Sequence, residues 1–171
     1  QKPFNHREVL LRFRNLLETV HLQKALRHQN ELLEEKVQQR TRQLHYSQVK
    51  LIECLGRAAE FKDNETGAHV MRISKMTGIV ARALGLQPRD VELVEQASPM
   101  HDVGKIGIRD NVLLKPDKLD DKEWINMKTH VDIGVSILSG GDSKIIQLAQ
   151  EIAATPREKY DETGYPNGLK G

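Results

Sequence analysis

The stretch SPMHDVGKIGI, residues 98–108, closes an apolar helical run and places a histidine next to an aspartate. Adjacent side chains on a helix point about 100° apart, so His101 and Asp102 cannot share one flat face. They can converge on one object at a bend or a helix end, and a metal ion is the commonest such object. The stretch therefore predicts a helical fold with a metal site at a helix terminus.

Hydrophobic periodicity on both sides of this stretch predicts an all-α fold. Helical patterns cover residues 67–85, 88–100, 120–140 and 142–156, and no strand-like alternation persists over four residues. Asp and Pro break the pattern in residues 107–119, which we expect to form a loop.

The N-terminal part predicts a single long helix from about His6 to Phe61 with a heptad pattern. Its apolar positions are Leu26, Leu33, Val37, Leu44 and Leu51, at steps of seven, four, seven and seven. Asn30 occupies an a position, which favours a parallel two-stranded coiled coil with a fixed register. Arg40 and Ser47 at d positions weaken this seam. The alternative is one long helix that packs on its own domain.

Composition excludes several classes of function. The single cysteine, Cys54, allows no internal disulfide and fits a reducing cytoplasm. The sequence contains neither a long apolar run nor a signal-peptide pattern, so we expect no membrane association.

Residues 1–55 carry 10 Lys/Arg and 6 Asp/Glu, whereas residues 56–171 carry 16 and 18. Because acidic residues are spread among the basic ones, we interpret the excess of basic residues as a solvated face and expect no DNA binding. The start at Gln1, without Met, predicts an excised piece of a longer protein.

Three of the seven histidines are candidate metal ligands. His69, His101 and His130 lie in the globular part, and carboxylates accompany them: Glu65 precedes His69 by four residues and Asp102 follows His101. A lone histidine of this kind is more often a core residue than a ligand. Three with two carboxylates favour a metal site, and an all-nitrogen-and-oxygen ligand set suits Fe, Mn or Zn.

Residues 56–171 closely resemble the HD-GYP family of HD-domain metal phosphohydrolases. The resemblance rests on four motifs in the right order, among them FKDNETGAHVMRISKM, residues 61–76, and KYDETGYPNGLKG, residues 159–171. It implies an HD-type helical bundle, whose later helices would follow Gly171. It also implies hydrolysis of the bacterial second messenger cyclic di-GMP with two or three Fe or Mn ions.

The resemblance also implies roles for individual residues. It makes Glu65, His69, His101, Asp102 and His130 metal ligands, with Asp102 bridging two ions. It makes Asp102 and Lys105 the catalytic residues, and Lys105 and Tyr165 the substrate-binding ones. Two ions about 3.5–4 Å apart can clamp phosphoryl oxygens for in-line attack.

The chain departs from the family pattern just before the GYP signature. Family members carry a histidine pair where this sequence has Pro156 and Arg157, and a glycine where it has Glu162. Neither proline nor arginine replaces an imidazole at a metal, so the second ion would lose two ligands. We therefore expect fewer ions than in the family and slow or absent turnover. The alternative function is a degenerate module that binds nucleotide or diguanylate cyclase (GGDEF) partners through the GYP loop without turnover.

The first residues resemble another family. KPFNHREVLLRFRNLL, residues 2–17, is similar to the final turn and helix of a response-regulator receiver domain, whose Lys-Pro pair matches Lys2 and Pro3. The predicted organisation is a receiver tail at 1–19, a coiled-coil linker at 20–55 that forms a homodimer, and the N-terminal portion of an HD-GYP domain at 56–171.

Overall fold

The computed structural model describes residues 5–63 and 68–170. The predicted Lys2–Pro3 pair and the predicted ligand Glu65 therefore lie outside the described residues. The α-helices are α1 His6–Lys62, α2 Ala68–Ala83, α3 Pro88–Ala97, α4 Asp110–Leu113, α5 Asp121–Lys128, α6 His130–Leu138 and α7 Lys144–Ala154. Two 3₁₀ helices, Ser98–Met100 and Val103–Gly107, follow α3. Residues 5–63 and 68–170 contain no strand, and the all-α prediction is confirmed.

The chain forms two compact units, Gln1–Ser47 and Gln48–Gly171. In the first unit, every described side chain is exposed, including those at the predicted heptad positions Leu26, Leu33 and Val37. The coiled-coil pairing and the three domain boundaries remain predictions. No helix among the described residues has the length and apolarity needed to cross a membrane.

The second unit is organised around a core drawn from several helices. Ile52 of α1 packs with Met100 and Val103 of the 3₁₀ segments, Leu138 of α6 and Ala149 of α7. A smaller cluster forms beside it around Ile108, Val112 and Leu113. The segment 98–108 thus contributes buried residues to both clusters, which fixes the position of His101 and Asp102 between them.

Local chemistry explains where the predicted helices begin. The Glu123 amide donates to Asp120 Oδ1 at 2.8 Å, and the Asp120 amide donates to Glu123 Oε2 at 2.9 Å. This reciprocal capping box starts α5 where the acidic residues predicted a helix start. Ser143 accepts a hydrogen bond from the Ile146 amide and caps α7 in the same way.

Three helical predictions were wrong in detail. The helix expected at 88–100 ends at Ala97, because Pro99 lacks the amide that would continue it, and a 3₁₀ turn follows. The helix expected at 120–140 breaks at Thr129, whose hydroxyl donates to the Asn126 carbonyl. The loop expected at 107–119 contains α4, since Val112 and Leu113 are buried in the smaller cluster.

A close contact between Gly104 and the backbone of α6 sets the distance between α6 and the 3₁₀ turn that carries Asp102. A Cβ atom on Gly104 would lie 1.8 Å from the His130 carbonyl oxygen and 2.5 Å from the Gly134 amide nitrogen. Only glycine allows the 3₁₀ turn that carries Asp102 to approach α6 this closely. The reverse position is less crowded, because a Cβ on Gly134 would meet Ala153 at 3.4 Å and Gly104 at 3.5 Å.

We expect Gly104→Ala to destabilise the fold, because the methyl group would push the turn away from α6. Overpacking of this kind typically costs about 1–3 kcal/mol, and backbone clashes this short should reach the upper end. Gly134→Ala, on the opposite side of the same contact, is the matched control and should cost less than about 1 kcal/mol. Urea unfolding of both variants measures the difference. Equal midpoints would contradict this account of the contact.

Candidate metal and phosphate site

Two histidines, His101 and His130, make the same contact with the backbone. His101 Nδ1 lies 3.1 Å from the Ser98 carbonyl oxygen, and His130 Nδ1 lies 2.7 Å from the Met127 carbonyl oxygen. A carbonyl can only accept, so each Nδ1 carries the hydrogen and each Nε2 presents a lone pair. Burial lowers the pKa of His101 and outweighs the neighbouring Asp102 carboxylate, which raises it. His101 is therefore a neutral imidazole suited to metal binding.

Asp102 lies between these imidazoles and is almost completely buried. Its Oδ2 is 3.5 Å from His101 Nε2, and its Oδ1 is 3.8 Å from His130 Nε2. Among the described residues, neither Asp102 Oδ1 nor His130 Nε2 has a hydrogen-bond partner. A buried carboxylate oxygen and an imidazole lone pair that face each other in this way are unfavourable without a cation between them. The donor set therefore fits a metal ion.

A second group of donors also includes His101. Glu60 of α1, His69 of α2 and His101 each offer a ligand atom, and these atoms lie within 4.8 Å of one another. Glu60 is only 4% exposed, and its Oε1 is 3.9 Å from His69 Nε2. These residues can hold one ion with nitrogen and oxygen ligands.

Sequence reasoning did not identify Glu60. The segment from Glu60 to Glu65 offers three acidic residues, and the helical spacing of Glu65 and His69 drew attention to Glu65. The available signal was the position of Glu60 within the last turn of the long helix. It follows the apolar residues Ile52, Leu55 and Ala59 of the last three turns, of which Ile52 and Ala59 are buried. A carboxylate inside such a stripe requires a partner.

Two cations contact the same oxygen of Asp102. Lys105 Nζ is 2.9 Å and Arg157 Nη2 is 3.0 Å from Oδ2, and Lys105 also forms an ion pair with Asp63. Burial raises the pKa of the Asp102 carboxyl, but His101, Lys105 and Arg157 outweigh it and keep the pKa below its ordinary value. Burial lowers the pKa of Lys105, but Asp102 and Asp63 outweigh it and raise the pKa. Asp102 is thus a carboxylate and Lys105 an ammonium.

Arg157 belongs to the loop that follows α7, and the Glu158 carboxylate links the beginning of this loop to its end. Glu158 Oε1 accepts a hydrogen bond from the Asn167 amide at 2.7 Å, and Oε2 accepts one from the Leu169 amide at 2.9 Å. The Tyr165 amide donates to the Arg157 carbonyl at 3.1 Å. Glu162 in this loop has φ 63°, a left-handed conformation that glycine adopts more easily than glutamate.

This loop brings Tyr165 next to His130. Its ring stands edge-on to His130 with a centroid distance of 6.3 Å. Together with Asp63, Lys105, His130 and Arg157, it lines a cavity of about 690 Å³. This volume lies within the range of small-molecule sites.

The structure brings most of the residues predicted from the sequence into one region. His69, His101, Asp102 and His130 converge as described, and Lys105 and Tyr165 line the adjoining cavity. The roles assigned to these residues remain predictions, as does the role of Glu65. Asp63 and Glu60 are additional residues at this centre.

The amino-acid sequence is similar to one known family and to several known proteins. The HD domain family matches residues 66–164. The chain is 38% identical over 170 residues to the "cyclic di-GMP phosphodiesterase response regulator RpfG" of Xanthomonas campestris, covering 99% of this chain and 45% of that protein. It is 44% identical over 128 residues to the "3'3'-cGAMP-specific phosphodiesterase 2" of Vibrio cholerae, covering 75% of this chain and 24% of that protein.

A third relative shows a similar level of identity. The chain is 43% identical over 121 residues to a "cyclic di-GMP phosphodiesterase" of Thermotoga maritima, covering 71% of this chain and 33% of that protein. The chain thus spans less than half the length of these relatives.

We expect Asp102→Asn to lower the metal content of the purified protein more than any other single change. An amide keeps the shape but removes the negative charge from the oxygen facing His130. Glu60→Gln should give a smaller loss, because His69 and His101 remain. Elemental analysis after dialysis against Mn²⁺ measures both. Asp132→Asn, on the exposed side of α6, is the control and should match the wild type. Unchanged metal content in Asp102→Asn would refute the assignment.

Proposed function

We propose that this chain, which belongs to the HD domain family, is the output domain of a response regulator that hydrolyses cyclic di-GMP with the help of metal ions. The observation that carries the proposal is the buried Asp102 carboxylate facing the Nε2 lone pairs of His101 and His130. The names of the relatives, which are phosphodiesterases of cyclic dinucleotides, support the choice of substrate.

The proposed ligands form two groups that share Asp102. Glu60, His69 and His101 would hold one ion with Asp102 Oδ2, and Asp102 Oδ1 and His130 would contribute to a second. Iron or manganese suits these nitrogen and oxygen donors. A bound divalent ion supplies Lewis acidity to the phosphoryl oxygens and lowers the pKa of the attacking water.

The remaining charged residues would bind and orient the phosphodiester. Asp63 and Asp102 fix the Lys105 ammonium from two sides, so its charge is preorganised at the cavity wall. A preorganised cation stabilises the charge that develops on phosphoryl oxygens during cleavage. Burial raises the pKa of Tyr165, which keeps the phenol protonated and able to donate a hydrogen bond to the substrate.

Arg157 would limit the rate of this chain. Its guanidinium contacts the Asp102 oxygen that the first ion needs, and Pro156 supplies no ligand. Two protein ligands, Asp102 and His130, leave the second ion weakly held, since such sites commonly need three or four. We therefore propose slow hydrolysis with fewer ions than the two or three typical of the family.

The decisive experiment is incubation of the protein with cyclic di-GMP and Mn²⁺ or Fe²⁺, followed by chromatography of the products. We expect slow formation of linear dinucleotide or GMP. The double variant Pro156→His/Arg157→His, which supplies the histidine pair, should bind more metal and react at least about tenfold faster. Pro156→Ala is the matched control without a new ligand. A wild-type rate that the double variant does not exceed would contradict the role of Arg157.

The alternative is a degenerate module that binds nucleotide without cleaving it. Arg157 on Asp102 is the observation in its favour, because a guanidinium can attract phosphates while displacing an ion. The relatives of 31–44% identity that are named phosphodiesterases favour the hydrolase. A binding partner such as a diguanylate cyclase domain at the loop of Gly164, Tyr165 and Pro166 belongs to either version.

We also propose that the chain forms a parallel homodimer through residues 20–55. Leu33→Asp places a charge in the heptad seam and should give a monomer, because two buried carboxylates would face each other. Gln38→Asp adds the same charge outside the seam and should remain dimeric. Asn30→Leu should raise the melting temperature and broaden the distribution of oligomers. Light scattering measures all three, and a monomeric wild type would refute the proposal.

A further inference from the structure

The far wall of the cavity carries an aromatic corner that the metal chemistry does not use. The rings of Trp124 and Tyr165 stand nearly perpendicular, at 78°, with centroids 6.1 Å apart. Trp124 is 44% exposed although it lines the cavity, so part of its indole surface is available to a ligand. Two aromatic rings at such an angle form a corner that one flat ring can fill.

A cation accompanies this corner. Lys128 Nζ lies 5.4 Å from the Tyr165 ring centroid and 5.9 Å from that of Trp124. Lys128 and Trp124 are four residues apart on α5, which places both side chains on the same face of the helix. The ammonium is thus positioned by two ring faces and has donor hydrogens left for a ligand.

The corner lies at a suitable place for the base of a nucleotide. Tyr165 contacts Trp124 on one side and His130 on the other, at centroid distances of 6.1 and 6.3 Å. A phosphate at Lys105, which lines the same cavity, would therefore leave the attached base next to Tyr165 and Trp124. Bases stack on aromatic side chains regardless of their identity, so stacking alone gives affinity without selection.

We propose that Trp124, Tyr165 and Lys128 form a nucleobase subsite in which Lys128 selects guanine over adenine. This inference rests on the proposed function, since it concerns the substrate of the same cavity. Guanine presents two acceptors, O6 and N7, on one edge, and an ammonium can donate to both. Adenine places an amino donor where guanine has O6, and that donor opposes the ammonium. The subsite therefore predicts guanine-containing cyclic dinucleotides as substrates and disfavours cyclic di-AMP.

Trp124 is the single tryptophan of the chain, so its fluorescence reports on this subsite directly. Titration with GMP and with AMP requires no turnover. We expect GMP to quench the fluorescence at about tenfold lower concentration than AMP. Lys128→Met should abolish this preference and leave AMP binding nearly unchanged, whereas Lys128→Arg should retain it, because a guanidinium also donates to O6 and N7. Lys122→Met, an exposed lysine on the same helix, is the matched control and should behave as the wild type.

A second measurement uses the substrate itself. Trp124→Ala should raise the dissociation constant for cyclic di-GMP by about 5- to 100-fold through the loss of stacking. Trp124→Phe, which keeps a flat ring, should retain most of the affinity. Isothermal calorimetry without added metal measures these values. Equal quenching by GMP and AMP, or equal affinity of Trp124→Ala and the wild type, would overturn the inference. Quenching without hydrolysis would sink the proposed function alone, and hydrolysis without quenching would sink the subsite alone.

Discussion

A buried carboxylate between two imidazoles is the constraint on which the rest of this unit depends. Asp102 is almost inaccessible to solvent, yet the cations Lys105 and Arg157 on its Oδ2 keep it ionised. A buried charge is tolerated only when its surroundings are polar and complementary. The two histidines turn their Nδ1 atoms to backbone carbonyls and their lone pairs towards the carboxylate. Lys105 and Arg157 both contact Oδ2 of Asp102. Among the described residues, Oδ1 and the facing Nε2 of His130 have no hydrogen-bond partner, as expected where a cation binds.

The helical framework serves this centre by bringing distant segments into a narrow space. Glu60 lies in the last turn of α1, His69 in the first turn of α2, and His130 begins α6. Three helix ends therefore meet near the turn that carries His101 and Asp102. The absence of a side chain at Gly104 allows this turn to lie against the backbone of α6. Met100 and Val103 anchor this turn in the hydrophobic core, and Ile108 anchors its end in the smaller cluster. Packing thus sets the distances on which ion binding depends.

Arg157 adds a second cation to the buried carboxylate. A guanidinium on Asp102 Oδ2 supplies the charge that an ion would supply, but it cannot polarise a phosphoryl oxygen in the way a bound metal does. Its own loop is rigidified by Glu158, and the same loop presents Tyr165 to the cavity. One segment therefore affects both the charge around Asp102 and the shape of the cavity that Tyr165 lines. A change at residues 156–157 alters the first without removing the second.

The sequence by itself determined the helical class and the chemistry of the site. Periodicity placed most of the helices, because burial of one face imposes a repeat that can be read directly. The side-by-side His101 and Asp102, with His69 and His130, predicted a nitrogen and oxygen ligand set, and the structure brings these side chains together. Pro156 and Arg157 were visible as a departure because they interrupt a specific motif.

Only the tertiary structure decided which of these groups meet. Asp63 and Trp124 gave no usable signal, because their importance comes from Lys105 and Tyr165, which lie far away in the sequence. The break at Thr129 and the short helix Asp110–Leu113 likewise follow from local hydrogen bonding and burial that override periodicity. Periodicity reports which face of an element is buried, but not what that face is buried against. Contacts between segments depend on the packing of the whole unit, and this is why the composition of the centre became known only from the fold.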